Sequence, residues 1–419
     1  MFSVRQVLSC LVTVLLASLV VACFSETAVD CATIYFLNSI VIEPSTSYSG
    51  VLYLESPINI SMTGFNQTSK IAASRGVISE GGEWYSINVV SGSPLYAFVV
   101  FEVRICSPEF SSSLNLVREV LAKPENFLKE EWRVEYLPTD TLLEYVGTPP
   151  EVVETIVKPD FENWLKTFSW YYRLDNASKY PLLVSVYAAK FIYLSGYIQY
   201  EASLLPRTIE EVVESKKGDC DDMSRILVGL LWSYGIPAVI VHGFTAIEGF
   251  SMRSTLGTLE YVFERGGPHA FVLAYIPNYG WLSLDFLAGS LLTNHFVIWG
   301  VTRSVTLSRE DIEELERIHN TVVGKQLMTV MTSQDPRIYD ATSLELFINS
   351  TLGLTKPVSQ TLPPSASETE TRVITETVTQ DQEYIAIPVL TLTAVLAIAV
   401  LTVLVWRATT LSRTQSRKL

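Results

Sequence analysis

In "KKGDCDDMSRILVGLL", residues 216 to 231, a single thiol stands among three carboxylates, Asp219, Asp221 and Asp222, at the mouth of an apolar repeat. Met223, Ile226, Leu227, Leu230, Leu231 and Tyr234 recur at the spacing of one helical stripe, and "YGIP" closes it with Gly235 at the C-cap and Pro237 beyond. The spacing predicts a central buried helix with Cys220 at its start. There, unpaired backbone N–H groups and the positive end of the helix dipole favour a thiolate. The neighbouring carboxylates oppose it, because nearby negative charge raises a thiol pKa. A cationic partner has to outweigh them, and His269 is the candidate. Between His269 and Asp285 runs "AFVLAYIPNYGWLSL", which reads as two strands joined by a turn rich in Pro277, Asn278 and Gly280. A hairpin centred on Pro277 sets Leu273 opposite Trp281, Phe271 opposite Ser283 and His269 opposite Asp285. Directly opposed side chains lie about 5 Å apart on one face, close enough for a carboxylate to hold the imidazole in one tautomer. Cysteine, histidine and an orienting acid are the parts of an activated nucleophile.

The blocks "GDCDDMSRILVGLLWSYGIPAVIVHGF" and "HAFVLAYIPNYGWLSLDF", in this order, resemble the transglutaminase-like superfamily. Its core carries G-x-C at a helix start, then H-A-[WF]-V, then G-W followed by an Asp on the next strand. The resemblance spans residues 180 to 290 and implies Cys220 as nucleophile, His269 as general base and Asp285 as orienting acid. It also implies an α+β fold of the papain-like type, the nucleophile's helix packed on an antiparallel sheet. Two features depart from the pattern. Leu273 stands where many relatives have an acid, and the stretch between Cys220 and His269 is long, with "TAIEGFSMRSTLGTLEYVFERGG" expected as a flap. The Cys220 N–H is the expected first oxyanion donor, and Gln199 or Tyr200, on an upstream helix, are the alternatives for a second. Asp222 is expected to cap or support the first helical turn.

The remaining histidines carry less. His242 lies in an apolar strand as a core residue, His295 sits in "LLTNHFVIW" and His319 on a polar helix face, with no cysteine or carboxylate pair at zinc-ligand spacing. No metal and no cofactor is expected. Among the cysteines, Cys10 lies in the amino-terminal apolar run and Cys23 ends it, as a cleavage-site neighbour or a lipidation site. Cys31 and Cys106 bracket a β-rich stretch and suit a disulfide in an oxidising space, which leaves Cys220 without an obvious partner.

The elements that must position these groups fall into segments. Residues 28–110 contain β-branched and aromatic runs ("TIYFLNSIVI", "GVLYLE", "WYSINVV", "YAFVVFEVRI") divided by turn residues, and predict a small antiparallel sandwich serving as an adhesion or spacer module. Residues 115–330 turn helical, from "SLNLVREVLAK" to the aromatic core helix "YPLLVSVYAAKFIYLSGYIQY", and form the transglutaminase-like domain. That segment closes with the amphipathic helix "SREDIEELERIHNTVVGK", capped by Ser308.

The ends set the compartment. Arg5 precedes an uncharged run ending near Ala22, so residues 1–23 read as a secretory signal, with an uncleaved anchor as the alternative. Residues 350–383 are rich in Ser, Thr, Pro and acids and read as a stalk; 384–406 carry no charge and are long enough to span a bilayer; 407–419 are basic without an acid. The positive-inside rule places that tail in the cytoplasm and everything before it outside, as a single-pass protein of the cell membrane. Sequons at Asn59, Asn66, Asn176 and Asn349 all lie on the outer side. A net charge of −14 with no basic stripe excludes nucleic acid as a partner. The expected partners are a protein or peptide substrate and the lipid bilayer. The expected function is thiol-dependent acyl transfer or hydrolysis on amide bonds, and its rival is a non-catalytic surface binding or scaffold protein of the same fold.

Overall fold

The computed structural model describes residues 31–62, 65–80, 84–106, 110–134, 141–287 and 296–354. The expected signal, membrane helix and cytoplasmic tail lie outside the described residues, as do most of the expected stalk and His295. Among the described residues no helix is long and apolar enough to cross a membrane.

The strands run β1 (Cys31–Ile42), β2 (Gly50–Tyr53), β3 (Ile60–Met62), β4 (Phe65–Arg75), β5 (Ile78–Glu80), β6 (Trp84–Val89) and β7 (Leu95–Cys106). Then come the two-residue strands β8 (Gln199–Tyr200) and β9 (Lys217–Gly218), the long β10 (Ala238–Leu256) and β11 (Leu259–Ile276), β12 (Gly280–Leu284), β13 (Phe296–Thr302) and β14 (Gly324–Thr332). The helices are α1 (Phe110–Ala122), α2 (Lys158–Leu165), α3 (Pro181–Leu194), α4 (Ile209–Ser215), α5 (Cys220–Trp232), α6 (Arg309–Thr321) and α7 (Ala341–Thr351).

Nine strands make one sheet in the order β13-β10-β11-β14-β1-β7-β4-β3, with β12 paired to β11; β2, β6 and β5 form a second sheet. The two segments expected as separate domains therefore share a sheet. β14 is the join: it pairs antiparallel with β1, Ile34 opposite Thr332 through Ile42 opposite Gly324. On its other side it pairs parallel with the first third of β11, Leu259 opposite Gly324 through Glu264 opposite Thr329. Of its sequence "GKQLMTVMT", the first two residues, Gly324 and Lys325, were expected as the tail of the preceding helix, which instead stops at Thr321. The run has no helical stripe, and its residues are buried on both faces, as a central strand requires.

The stretch expected as a flap is likewise built into the sheet. β10 and β11 pair from Ala238 opposite Ala274 down to Leu256 opposite Leu259, with one register shift between Ala246 and Ser251. The edges of the large sheet also meet. The Ile58 N–H donates to the Ile298 carbonyl at 3.1 Å, and the buried Gln67 amide imitates a strand, donating to that carbonyl at 2.7 Å and accepting from the Ile298 N–H at 2.8 Å. The sheet thus curls until β13 reaches the β3–β4 edge, and otherwise unpaired backbone groups find partners.

Alternation along β10 and β11 sends residues to two cores. Ala238, Ile240, Ala270, Val272 and Ala274 face the helices, packed with α3 and α5, while Val239, Val241, Phe271 and Leu273 face the interior with Phe36, Phe101 and Ile87. A third cluster sets Leu37, Val100 and Leu327 against Leu344, Ile348 and Leu352. The folded body therefore continues past 330 to Leu354, into the first residues expected as stalk. Cys31 and Cys106, opposite one another on β1 and β7, are joined as a disulfide.

Candidate active site

Cys220 is the first residue of α5 and partly exposed. The helix starts there because Asp219 caps it: its side chain accepts from the Asp222 N–H, and the Asp222 side chain accepts in return from the Asp219 N–H, a reciprocal capping box. Asp222 is thus a helix-start residue, as expected from its position. Below the first turn the apolar stripe is fully buried, each such side chain contributing about 1.5–3 kcal/mol, so the thiol's place in the molecule is firmly fixed.

β11 brings His269 alongside. The His269 Nε2 and Asp285 Oδ2 lie 2.9 Å apart, the carboxylate is almost completely buried, and its Oδ1 accepts from the Leu287 N–H at 3.0 Å. The imidazole packs parallel to Phe271 and edge-on to Phe296, ring centroids 6.3 Å away in each case. The hairpin register differs from the expected one. Ile276 pairs with Gly280 and Leu273 with Ser283, because three residues make the turn, Asn278 adopting φ 66° and the Tyr279 N–H bonding back to the Ile276 carbonyl. A shift of two residues keeps side chains on the same face, so His269 and Asp285 still meet, on a diagonal.

Gly243 lies opposite His269 on β10, and a Cβ there would sit 2.2 Å from the Val297 carbonyl and 2.6 Å from the Phe296 ring. Glycine lets β13 and Phe296 approach the imidazole.

The sulfur faces the backbone N–H groups of Ala270, the residue after His269, and of Asp221, both of which favour thiolate. Burial and then the charges of Asp221 and Asp219 oppose them more strongly, and the thiol is pushed up to about 12. Among the described residues no hydrogen bond joins the Cys220 sulfur to the His269 ring. Catalytic contacts of this kind are often long without substrate and tighten with it.

The three carboxylates differ in what they do to the sulfur. Asp222 is buried and bound by the guanidinium groups of Arg207, at 2.9 Å, and Arg225. Burial and the hydrogen bond it shares with Asp221 keep Asp219 protonated well above the usual carboxylate range. Against its own burial, Asp221 is held ionised by that hydrogen bond, by Arg225 and by His242. Asp221 is therefore the larger of the two carboxylate charges the thiol feels. His242, which pairs with Ala270 across the strands, is pushed down by burial. The carboxylates of Asp219, Asp221 and Asp222 lie close enough to hold a cation. Arg207 and Arg225 already supply the positive charge there, so the cluster reads as an ionic network.

Of the two side chains proposed for an oxyanion hole, both exposed, Tyr200 lies near enough to feel the charge of Cys220 and Gln199 has no side-chain partner among the described residues. Burial and then the charges of Cys220, Asp219 and Asp221 push the Tyr200 phenol up to about 12. Neither residue belongs to a helix: β8 pairs parallel with β9, setting Tyr200 opposite Gly218, two residues from the thiol. Tyr193 completes the rear wall. It is buried, its hydroxyl lies 3.0 Å from the Ser224 Oγ, which itself donates to the Cys220 carbonyl, and its ring stacks on Phe286. Neither Tyr193 nor the two arginines stood out in the sequence, because nothing local marks an aromatic or a cation that closes a site from another element.

Residues 177–286 match the transglutaminase-like superfamily. The chain carries a transglutaminase-like domain. It is similar to the uncharacterized protein YebA of Bacillus subtilis, 34% identical over 86 residues, which are 19% of this chain and 12% of that one. The chain thus spans about an eighth of that relative's length. Among solved structures it is similar to "a putative cysteine protease" from Cytophaga hutchinsonii, with a TM-score of 0.42 and 10% identity over 73% of this chain and 92% of the other.

Proposed function

We propose that this chain is a membrane-anchored extracytoplasmic cysteine enzyme that transfers or hydrolyses acyl groups of protein or peptide amides through a thioester on Cys220. The observation that carries this is the 2.9 Å contact of His269 Nε2 with the buried Asp285, one residue from the peptide N–H that faces the sulfur. With Nε2–H donating to the carboxylate, Nδ1 holds the lone pair that takes the Cys220 proton. The sulfur attacks the amide carbonyl, Nδ1–H returns the proton to the departing nitrogen, and the C–N bond breaks to leave a thioester. Water or an amine then gives up a proton to Nδ1 and attacks the thioester, restoring the thiol. The Cys220 N–H and the Tyr200 hydroxyl are the donors for the tetrahedral oxyanion. The Cys31–Cys106 disulfide supports an oxidising compartment, and the uncharged run at 384–406 supports the anchor.

A second reading has one observation in its favour: the resting thiol is pushed up to about 12, which suits a binding protein that has kept the fold without the chemistry. Iodoacetamide labelling of the purified ectodomain separates the two. The enzyme reading expects Cys220-selective labelling below the ordinary thiol pKa of about 8.5, lost in His269→Ala. Absent that labelling, and with every amide-cleaving and amine-incorporating assay unchanged in Cys220→Ala, the binding reading stands instead.

A further inference from the structure

Among the described residues, a densely bonded ionic group lies beside the thiol but outside the triad. Asp222, with no exposed side chain, accepts from the Arg207 Nη1 at 2.9 Å, from the Arg207 N–H at 3.4 Å, from the Asp219 N–H at 3.3 Å and from Arg225. Arg207 reaches further: its Nη2 donates to Glu201 Oε1 at 3.0 Å and its Nη1 approaches the Glu201 carbonyl at 3.4 Å. Arg225 Nη1 donates to the Arg207 carbonyl at 2.6 Å, the Ser203 N–H to Asp219 Oδ2 at 3.1 Å, and the Glu201 N–H to the Gly218 carbonyl at 2.9 Å. The Arg207–Asp222, Arg225–Arg207, Ser203–Asp219 and Glu201–Gly218 contacts tie the segment 201–207 to the residues around Cys220, and the Arg207–Glu201 contacts brace that segment internally. Residue 200 at its head is Tyr200. A helix cap needs only the reciprocal Asp219–Asp222 bonds. Two guanidinium groups, Arg225 buried and Arg207 half-buried, are more than a cap requires, and desolvating them is costly unless the geometry they fix is useful.

We propose that Arg207 is a positioning residue of the thiol centre: through Asp222 and Glu201 it clasps the segment 199–207, and with it the Tyr200 phenol, onto the first turn of α5. This rests on the reading of Cys220 as a nucleophile, but it concerns the sulfur's surroundings and is measurable without a substrate. The fork of an arginine suits the task, since its nitrogens engage two acids on different elements at once, which a lysine's point charge cannot do. The phenol so placed donates to the thiolate, and later to the oxyanion.

The test is the rate of Cys220 alkylation by iodoacetamide in the full chain, read by peptide mass spectrometry across a pH series. Tyr200→Phe is expected to slow labelling about tenfold, the effect of one charge-assisted hydrogen bond, and Arg207→Met by a similar factor. Because Arg207 acts through Tyr200, the double variant is no slower than the slower single one. Arg207→Lys recovers only part of the rate. Glu201→Gln removes the outer arm at an exposed position, cannot unfold the body, and slows labelling about twofold to threefold. Wild-type rates in a folded Arg207→Met, or single effects that multiply in the double variant, overturn the proposal. Should Arg207→Met fail to fold, a wild-type rate in Glu201→Gln overturns it equally. Failure of the acyl-transfer reading shows separately, as amide assays indifferent to Cys220→Ala.

Discussion

The two ends of strand β11 share a partner, β10, and differ in everything else. The end at Leu259–Glu264 lies between β10 and β14, inside the sheet that joins the amino-terminal strands to the rest. The end at His269–Ile276 has lost β14, gained the short β12, and is backed by α5. Between them the ladder breaks at Arg265, at φ 55°, opposite residues 247–250, and resumes at Gly266, at φ 150°, opposite Ala246. A Cβ on Gly266 would sit 2.1 Å from the Thr245 carbonyl. A continuous central strand is a poor place for reactive groups, because both its faces and both its edges are covered. Ending one ladder at Glu264 and starting another at Val272 leaves one edge of β11 without a strand partner between them, and His269 stands there. The comparison teaches that the joining end supplies rigidity and the other end chemistry, so damage to each should be separable.

The largest expected effect is on the chemical end. Asp285→Asn leaves the fold intact but lets the imidazole adopt the wrong tautomer, and should lower any amide-directed turnover by about 10²-fold or more, measured as kcat/KM. Turnover within tenfold of wild type would remove Asp285 from the centre. Next come two changes at the joining side. Reduction of Cys31–Cys106, whose closed loop spans 75 residues, should lower stability by about 4 kcal/mol in denaturant unfolding while leaving the Cys220 labelling rate unaltered. Gln67→Leu, which strands the Ile298 N–H where the sheet edges meet and leaves its carbonyl only the Ile58 N–H, should cost about 1–3 kcal/mol with the same silence at the thiol. A labelling rate that moves with either would show that the two ends are coupled. The smallest effect sharpens the chemical end: Asp221→Asn removes the largest negative charge acting on a thiol pushed up to about 12, so its pKa falls. At any pH below that value more thiolate is present, and labelling should speed up several-fold.

Much of the chemical end was legible along the chain. The stripe from Met223 to Tyr234 announced a buried helix with Cys220 at its start, while the capping role of Asp219 emerged only in the structure. The same-face relation of His269 and Asp285 survived an error of two residues in the hairpin register, because parity in a strand has period two. The joining end was nearly illegible. The start of β14 was expected as helix and the rest of it was not foreseen, the β10–β11 extension was expected as a flap, and the strands from Cys31 to Cys106 as a closed module. Each mistake has one cause: a run such as "KQLMTVMT" has no local signal that names its partner, and the partner is nearly 300 residues away on β1.

The sequence by itself determined which residues carry reactive groups, where the nucleophile's helix begins, and which faces its strands bury, since capping and the 3.6 and 2.0 periodicities are properties of neighbours along the chain. Only the tertiary structure decided that β1 and β11 share β14, that Gln67 stitches the sheet edges at Ile298, and that Asp222 is neutralised by two arginines while Asp221 keeps its charge beside the sulfur. Those outcomes depend on burial and on charges brought together from distant segments, and a carboxylate's ionisation answers to its surroundings in space, whatever stands next to it in sequence.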